Sequence, residues 1–109
     1  MPEKEFVVRL TSDDIIRHHR FIVGGQVGWF VVQYEARIEG KWVAIVRYDT
    51  AHGFAHRDLI HPSGKIIKSK LRWQDFNEAY TYAQQDLGAR WEFYRAQYEW
   101  EKRRLDNES

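Results

Sequence analysis

The chain has 109 residues, of which 43% are hydrophobic, 16% aromatic and 30% charged, with a formal net charge of +1. These values exclude a disordered chain, and the near-neutral balance excludes a global field that would attract nucleic acid, so any electrostatic argument is local. The absence of cysteine excludes a disulfide scaffold and thiolate metal sites, and it fits a reducing compartment.

A chain of this length is expected to form a single domain, residues 1–109, that buries its core unaided. Its charged start, Met1-Pro2-Glu3-Lys4-Glu5, lacks the apolar stretch of a secretion signal. The longest mainly apolar run, residues 27–32, is too short to cross a bilayer. A cytoplasmic location without membrane contact is the expectation.

Along the chain, Phe6, Val8 and Leu10 alternate, which suits a strand over residues 4–10. Thr11 has the character of an N-cap, and Asp13 and Asp14 suit a first helical turn, so a short helix is expected over about residues 12–21, ending before Gly24-Gly25. Residues 29–38 alternate, with Phe30, Val32, Tyr34, Ala36 and Ile38 on one face. Glu39-Gly40 reads as a two-residue hairpin turn, with residues 41–49 as the return strand. That turn sets a register of Ile38 with Lys41, Ala36 with Val43, Tyr34 with Ile45, Val32 with Arg47 and Phe30 with Asp49. Arg47 and Asp49 then stand at the polar end of the apolar face.

Residues 50–54 read as a loop, 55–61 as a strand, Pro62-Ser63-Gly64 as a turn and 65–71 as a further strand. Short connections imply an antiparallel meander. Asp75-Phe76-Asn77-Glu78 matches a capping box that opens a long helix. In that helix Phe76, Tyr80, Ala83, Leu87, Trp91, Tyr94 and Tyr98 form one stripe, suited to cover the apolar face of the sheet. Gly88 marks a place for a kink, because glycine costs about 1 kcal/mol against alanine inside a helix. Phe93 and Trp100 fall off the stripe and point to a second buried surface, against the N-terminal segment or another subunit. The expected class is α+β: an antiparallel meander of about four strands, covered by a long C-terminal helix, with a short N-terminal helix.

The chemistry concentrates in residues 47–61, which hold three of the five histidines together with two Asp and two Arg. Imidazole gives and takes protons near neutrality. His52 and His56 therefore suit the base and acid of phosphodiester cleavage, with Arg47 or Arg57 on the phosphoryl group and Asp49 or Asp58 orienting a ring. Such groups also occur as solvated loop and strand-face residues whose ion pairs contribute little. A metal site is a further alternative: His52 and His56 with Asp49 or Asp58 supply nitrogen and oxygen ligands for zinc or another divalent ion. Alternation puts His56 and Asp58 on one strand face and His61 on the other.

Lys68, Lys70 and Arg72 are spaced two apart and share a face, as a row that tracks phosphates or as charges that protect a sheet edge. Arg17-His18-His19-Arg20 would splay around a helix as a solvated cluster. Gly24-Gly25-Gln26-Val27-Gly28 lacks the lysine and the context of a phosphate loop, and no serine sits in a nucleophile motif.

The pattern Arg47-Tyr48-Asp49-x-x-His52-Gly53-x-x-His56-x-Asp58-x-x-His61-Pro62-x-Gly64 resembles a group of short prokaryotic proteins of unknown function, over about residues 30–98. More distantly, Tyr48-Asp49-Thr50-Ala51-His52 resembles the TumE toxin family of toxin–antitoxin loci, although the His-His and His-Lys-His clusters of that family have no counterpart in this segment. The resemblance implies a small toxin that acts on RNA and is held by a cognate antitoxin.

The leading expectation is thus a metal-independent endoribonuclease without a cofactor. Its catalytic candidates are Arg47, Asp49, His52, His56 and Asp58, and its nucleic-acid contacts Lys68, Lys70 and Arg72. The alternatives are a divalent-metal protein and a non-catalytic interaction module, which would form a homodimer through the aromatic helix or a sheet edge.

Overall fold

The computed structural model describes residues 2–108; Met1 and Ser109, the ends of the expected single domain, lie outside the described residues. Six strands follow one another in the chain: β1 (Glu3–Thr11), β2 (Asp14–Val23), β3 (Gln26–Ile38), β4 (Lys41–Asp49), β5 (His56–Ile60) and β6 (Ile66–Lys70). They form one sheet in sequence order, and each pairs antiparallel with the next. A 33-residue helix, α1 (Phe76–Glu108), lies across one face. The α+β class and the long C-terminal helix are as expected, but the sheet has six strands rather than about four.

The two strands added to the meander are N-terminal: β1, where a strand over residues 4–10 is as expected, and β2, which replaces the expected short helix over residues 12–21. Ile15, Ile16, Ile22 and Val23 are β-branched and pack well on a pleated surface. The polar run read as a helix start makes a hairpin turn: Thr11 Oγ1 donates to Asp14 Oδ2 (2.5 Å), and Asp13 N–H donates back to Thr11 Oγ1 (3.0 Å). Gly24 and Gly25, read as a helix stop, close the next hairpin with φ of 59° and 76°. Two successive positive φ values are what a two-residue hairpin turn requires, and glycine supplies them without a steric penalty.

The β3–β4 turn has the expected form, with Glu39 at φ 51° and Gly40 at φ 80°. Glutamate is ill suited to a left-handed position, whereas asparagine tolerates it. Replacing Glu39 by Asn is therefore expected to stabilise the protein by about 0.5 kcal/mol, a rise of roughly 2–4 °C in Tm by calorimetry. An unchanged or lower Tm would count against this account of the turn.

The register of this hairpin holds for Ile38–Lys41 and Ala36–Val43, and then shifts at a bulge. Beyond it Tyr34 pairs with Val46, Gln33 with Arg47, Val32 with Tyr48 and Val31 with Asp49. One extra residue on β4 lets the adjacent Ile45 and Val46 both enter the core, at 1% and 0% exposure. Its price is that every later side chain of β4 changes face. Tyr48 turns to the helix side, and Arg47 and Asp49 turn to the open side, opposite to the expected placement.

The core lies between the sheet and α1. It joins Phe30, Val32, Tyr34, Ile45, Val46 and Tyr48 to Tyr80, Ala83, Leu87 and Tyr94, with Phe76, Trp91 and Tyr98 packed at its margin. Asp75 caps α1 as expected, its Oδ1 accepting from the N–H groups of Asn77 (2.9 Å) and Glu78 (3.1 Å). The helix runs through Gly88 without a break. Phe93 and Trp100 remain exposed, so nothing among the described residues forms the second buried surface expected for them.

Candidate functional site

The bulge and the strand alternation together decide which side chains meet. On the sheet face away from α1, Asp49 of β4 stands opposite His56 of β5, and Arg47 opposite Asp58. His56 and Asp58 stand in turn opposite Lys70 and Lys68 of β6. The alternation of β5 thus keeps His56 and Asp58 on one face, and His61 pairs on the other side with Glu101 of α1 (2.7 Å).

Three of these groups form a compact buried cluster. One ligating atom from each of Asp49, His56 and Asp58 lies within 4.8 Å of the others. The His56 side chain is 1% exposed, Asp49 10% and Asp58 7%. The covering comes from the chain between β4 and β5, a single 3₁₀ turn at Ala51–Gly53, with the Phe54 ring 5.2 Å and the His52 ring 6.4 Å from that of His56.

The hydrogen bonds of His56 define what its ring can do. Nδ1 lies 3.2 Å from the Phe54 carbonyl oxygen. A carbonyl only accepts, so Nδ1 carries the proton, and in the neutral ring Nε2 presents a lone pair. Nε2 lies 2.8 Å from Asp49 Oδ1 and 3.8 Å from Asp58 Oδ1, yet it is buried with neither contact aligned as a hydrogen bond. Carboxylates also only accept. In the neutral ring three acceptor atoms thus converge, an arrangement that a cation among them satisfies.

The remaining contacts orient this set. Asp49 Oδ1 accepts the Ala51 N–H (2.9 Å), which ties the 3₁₀ turn to the cluster. Lys68 Nζ donates to Asp58 Oδ1 (2.8 Å) and balances one of the two carboxylates. A nitrogen-and-oxygen donor set of this kind suits Zn²⁺ or another divalent transition ion. Three protein ligands leave at least one coordination position for water or a further donor.

Arg47 is on the same face but turns away from the cluster. Its Nε donates to Gln33 Oε1 (2.6 Å), Gln33 donates to Glu35, and Arg17 pairs with Glu35 (2.8 Å). Burial opposes ionisation of Glu35, but the hydrogen bonds from Arg17 and Gln33 outweigh it and hold the carboxyl below its ordinary value. This polar line was missed in the sequence; its signal was the alternation of Gln33, Glu35 and Arg37 with apolar residues of β3.

Of the row expected to track phosphates, Lys68 is engaged by Asp58, Lys70 Nζ lies 6.0 Å from the Phe54 ring centre, and Arg72 lies beyond the end of β6, near Trp73. The Arg17-His18-His19-Arg20 cluster divides between faces because β2 is a strand. Arg17 and His19 stand opposite Gln33 and Val31 on the open side, and His18 and Arg20 meet Tyr80 of α1.

Comparison with protein families matches residues 1–104 to a family described as Domain of unknown function (DUF7718). Comparison with curated proteins and with solved structures gives no match.

Proposed function

The chain belongs to this family of unknown function, matched from residue 1 to residue 104, and from its own residues we propose that it is a divalent-metal-binding protein whose ion is held by Asp49, His56 and Asp58. One observation carries the reading: the buried Nε2 of His56 faces two carboxylates without an aligned hydrogen bond, while Nδ1 is committed to the Phe54 carbonyl. An Nδ1–H to carbonyl bond is the usual way in which a protein sets the tautomer of a metal-binding histidine. In this reading Asp49 and Asp58 supply the charge, the Phe54 carbonyl orients the imidazole, and Lys68 yields its place on Asp58 to the ion.

The metal-independent endoribonuclease requires His52 and His56 to reach the substrate together. His52 is exposed, but the His56 side chain is 1% exposed and its ring is stacked under the loop, which favours ligation over proton transfer. The toxin role and the antitoxin partner rest on the resemblance in residues 48–52 and remain proposals of lower rank. RNA cleavage in EDTA that falls about a hundredfold in His52→Ala would restore them to first place.

The direct test uses the untagged, EDTA-treated chain. Elemental analysis and calorimetric titration with Zn²⁺ are expected to give one bound ion per chain. Free metal at a hundred times Kd should stabilise the fold by about 2.7 kcal/mol. The Asp49→Asn variant should fold, by circular dichroism, and lose both effects. Absence of uptake and of any Tm shift with Zn²⁺, Mn²⁺ or Co²⁺ would overturn the proposal.

A further inference from the structure

Three protein ligands leave a coordination position to be filled, and resting on the metal reading above we propose that His52, on the 3₁₀ turn that covers the cluster, fills it, making a four-ligand His₂Asp₂ centre that closes when the ion binds. His52 sits at φ 70°, ψ 12°, a left-handed conformation that costs any residue other than glycine free energy. Gly53 follows at φ 83°, so the chain makes two consecutive left-handed residues there. A glycine at position 52 would meet the backbone requirement at lower cost, and an asparagine would meet it as well as histidine does. The imidazole is thus chemistry beyond what the turn needs.

The placement of that ring supports the assignment. It lies over His56 with ring centres 6.4 Å apart and planes inclined by 29°. Its nitrogens have no hydrogen-bond or ion-pair partner among the described residues. Two imidazoles on one tetrahedral ion, with metal–nitrogen bonds of about 2.0–2.1 Å, bring their ring centres to roughly 5 Å. The ring centres therefore have to approach by about 1 Å, and the His52 ring has to turn from its stacked position toward the three ligand atoms, within a turn that is exposed from Ala51 to Gly53.

The turn is tethered at both ends. Ala51 N–H is held by Asp49 Oδ1, and both backbone groups of Ala55 are held by the Gln74 side chain, at 3.1 Å each. Closure therefore swings a short segment about fixed points and draws His52 down with the ion. A second imidazole also changes selectivity. Hard cations such as Mg²⁺ and Ca²⁺ prefer all-oxygen surroundings, whereas two nitrogen and two oxygen donors favour Zn²⁺ and Co²⁺.

Co²⁺ is the probe, because its visible absorption reports coordination number and donor type. The full-length untagged chain is compared with His52→Asn, which preserves a residue tolerant of the left-handed turn, and folding of both is checked by circular dichroism. The expected result is intense, tetrahedral-type absorption in the original chain. His52→Asn should weaken Co²⁺ binding at least about tenfold and change the spectrum. Equal affinity and an identical spectrum in the two proteins would overturn the role of His52 and leave the three-ligand site standing. No Co²⁺ uptake by the original chain would overturn the metal reading and this inference with it.

Discussion

Replacing Asp86 by alanine is expected to destabilise the protein by about 3–5 kcal/mol, the range for breaking a buried charged network. Asp86 lies inside the α1–sheet interface, and its Oδ2 accepts from both Tyr48 and Tyr94 hydroxyls at 2.6 Å. Burial, then the bond to Asp86, holds the Tyr48 phenol well above its ordinary value, so it stays a donor at every working pH. The variant leaves two buried hydroxyls without an acceptor, each at a cost of about 1–3 kcal/mol. For a chain of this size that corresponds to a fall in Tm of at least about 12 °C. Urea unfolding measures it directly, and a loss below about 1 kcal/mol would show that the network is dispensable. Tyr48 also precedes Asp49 in β4, so the same contact that holds the strand to α1 helps to place the Asp49 carboxylate of the proposed metal site on the opposite face.

Acidification from pH 7 to pH 4 is expected to cost about 3 kcal/mol of stability through His18 alone. This ring is 4% exposed, stacked on Phe6 with centres 4.4 Å apart, and within 3.1 Å of the Tyr80 hydroxyl. Burial, and then the neighbouring Arg20 charge, push its pKa down to about 4. In the unfolded chain the group titrates near 6.5. Above that pH both states are neutral and His18 confers no pH dependence. Below it the unfolded chain binds the proton that the folded chain refuses, so stability falls as pH drops, and the effect levels off below about 4. Each unit of difference is about 1.4 kcal/mol. Asp14 and Glu35, whose carboxyls are held below their ordinary values, begin to lose their contributions as pH falls into the ordinary carboxylate range, and lose them fully only below it. The check is urea unfolding at pH 7, 5.5 and 4 for the original chain and for His18→Gln. An equal slope in the two would assign the acid sensitivity to other groups.

Both expectations concern residues whose importance was hidden in the linear sequence. His18 read as part of a solvated cluster on a helix, because Asp13 and Asp14 imitate a first turn and Gly24-Gly25 a stop. In the fold Asp14 serves a buried network instead, taking bonds from Tyr34 (2.6 Å) and Arg95 (2.8 Å). Asp86 stands next to Leu87 of the apolar stripe, and nothing in the linear sequence singles it out. Its partners Tyr48 and Tyr94 are 38 and 8 residues away, and no local pattern announces that their hydroxyls converge.

The candidate site was legible in a more specific way. Alternation alone put His56 and Asp58 on one face of a strand, away from His61, and a hairpin closing after residue 49 brought Asp49 to the same neighbourhood. Which face they occupy was not legible. It turned on the adjacent Ile45 and Val46, which satisfy the core together only through a bulge. Arg47 and Asp49 followed that shift to the open side of the sheet.

The sequence by itself determined the features whose period is short: the Glu39-Gly40 turn, the capped C-terminal helix with its aromatic stripe, and the alternation within β5. These depend on residues two to four positions apart, where backbone geometry links spacing directly to direction. Only the tertiary structure decided that residues 14–23 are a strand, that the register slips beyond Glu35, and that His56 is buried with one nitrogen on a carbonyl and the other facing two carboxylates. Those outcomes depend on desolvation and on pairing between distant segments. That part of the free energy is set once every element competes for the same core, and it turns a local excess of His and Asp into a candidate metal centre.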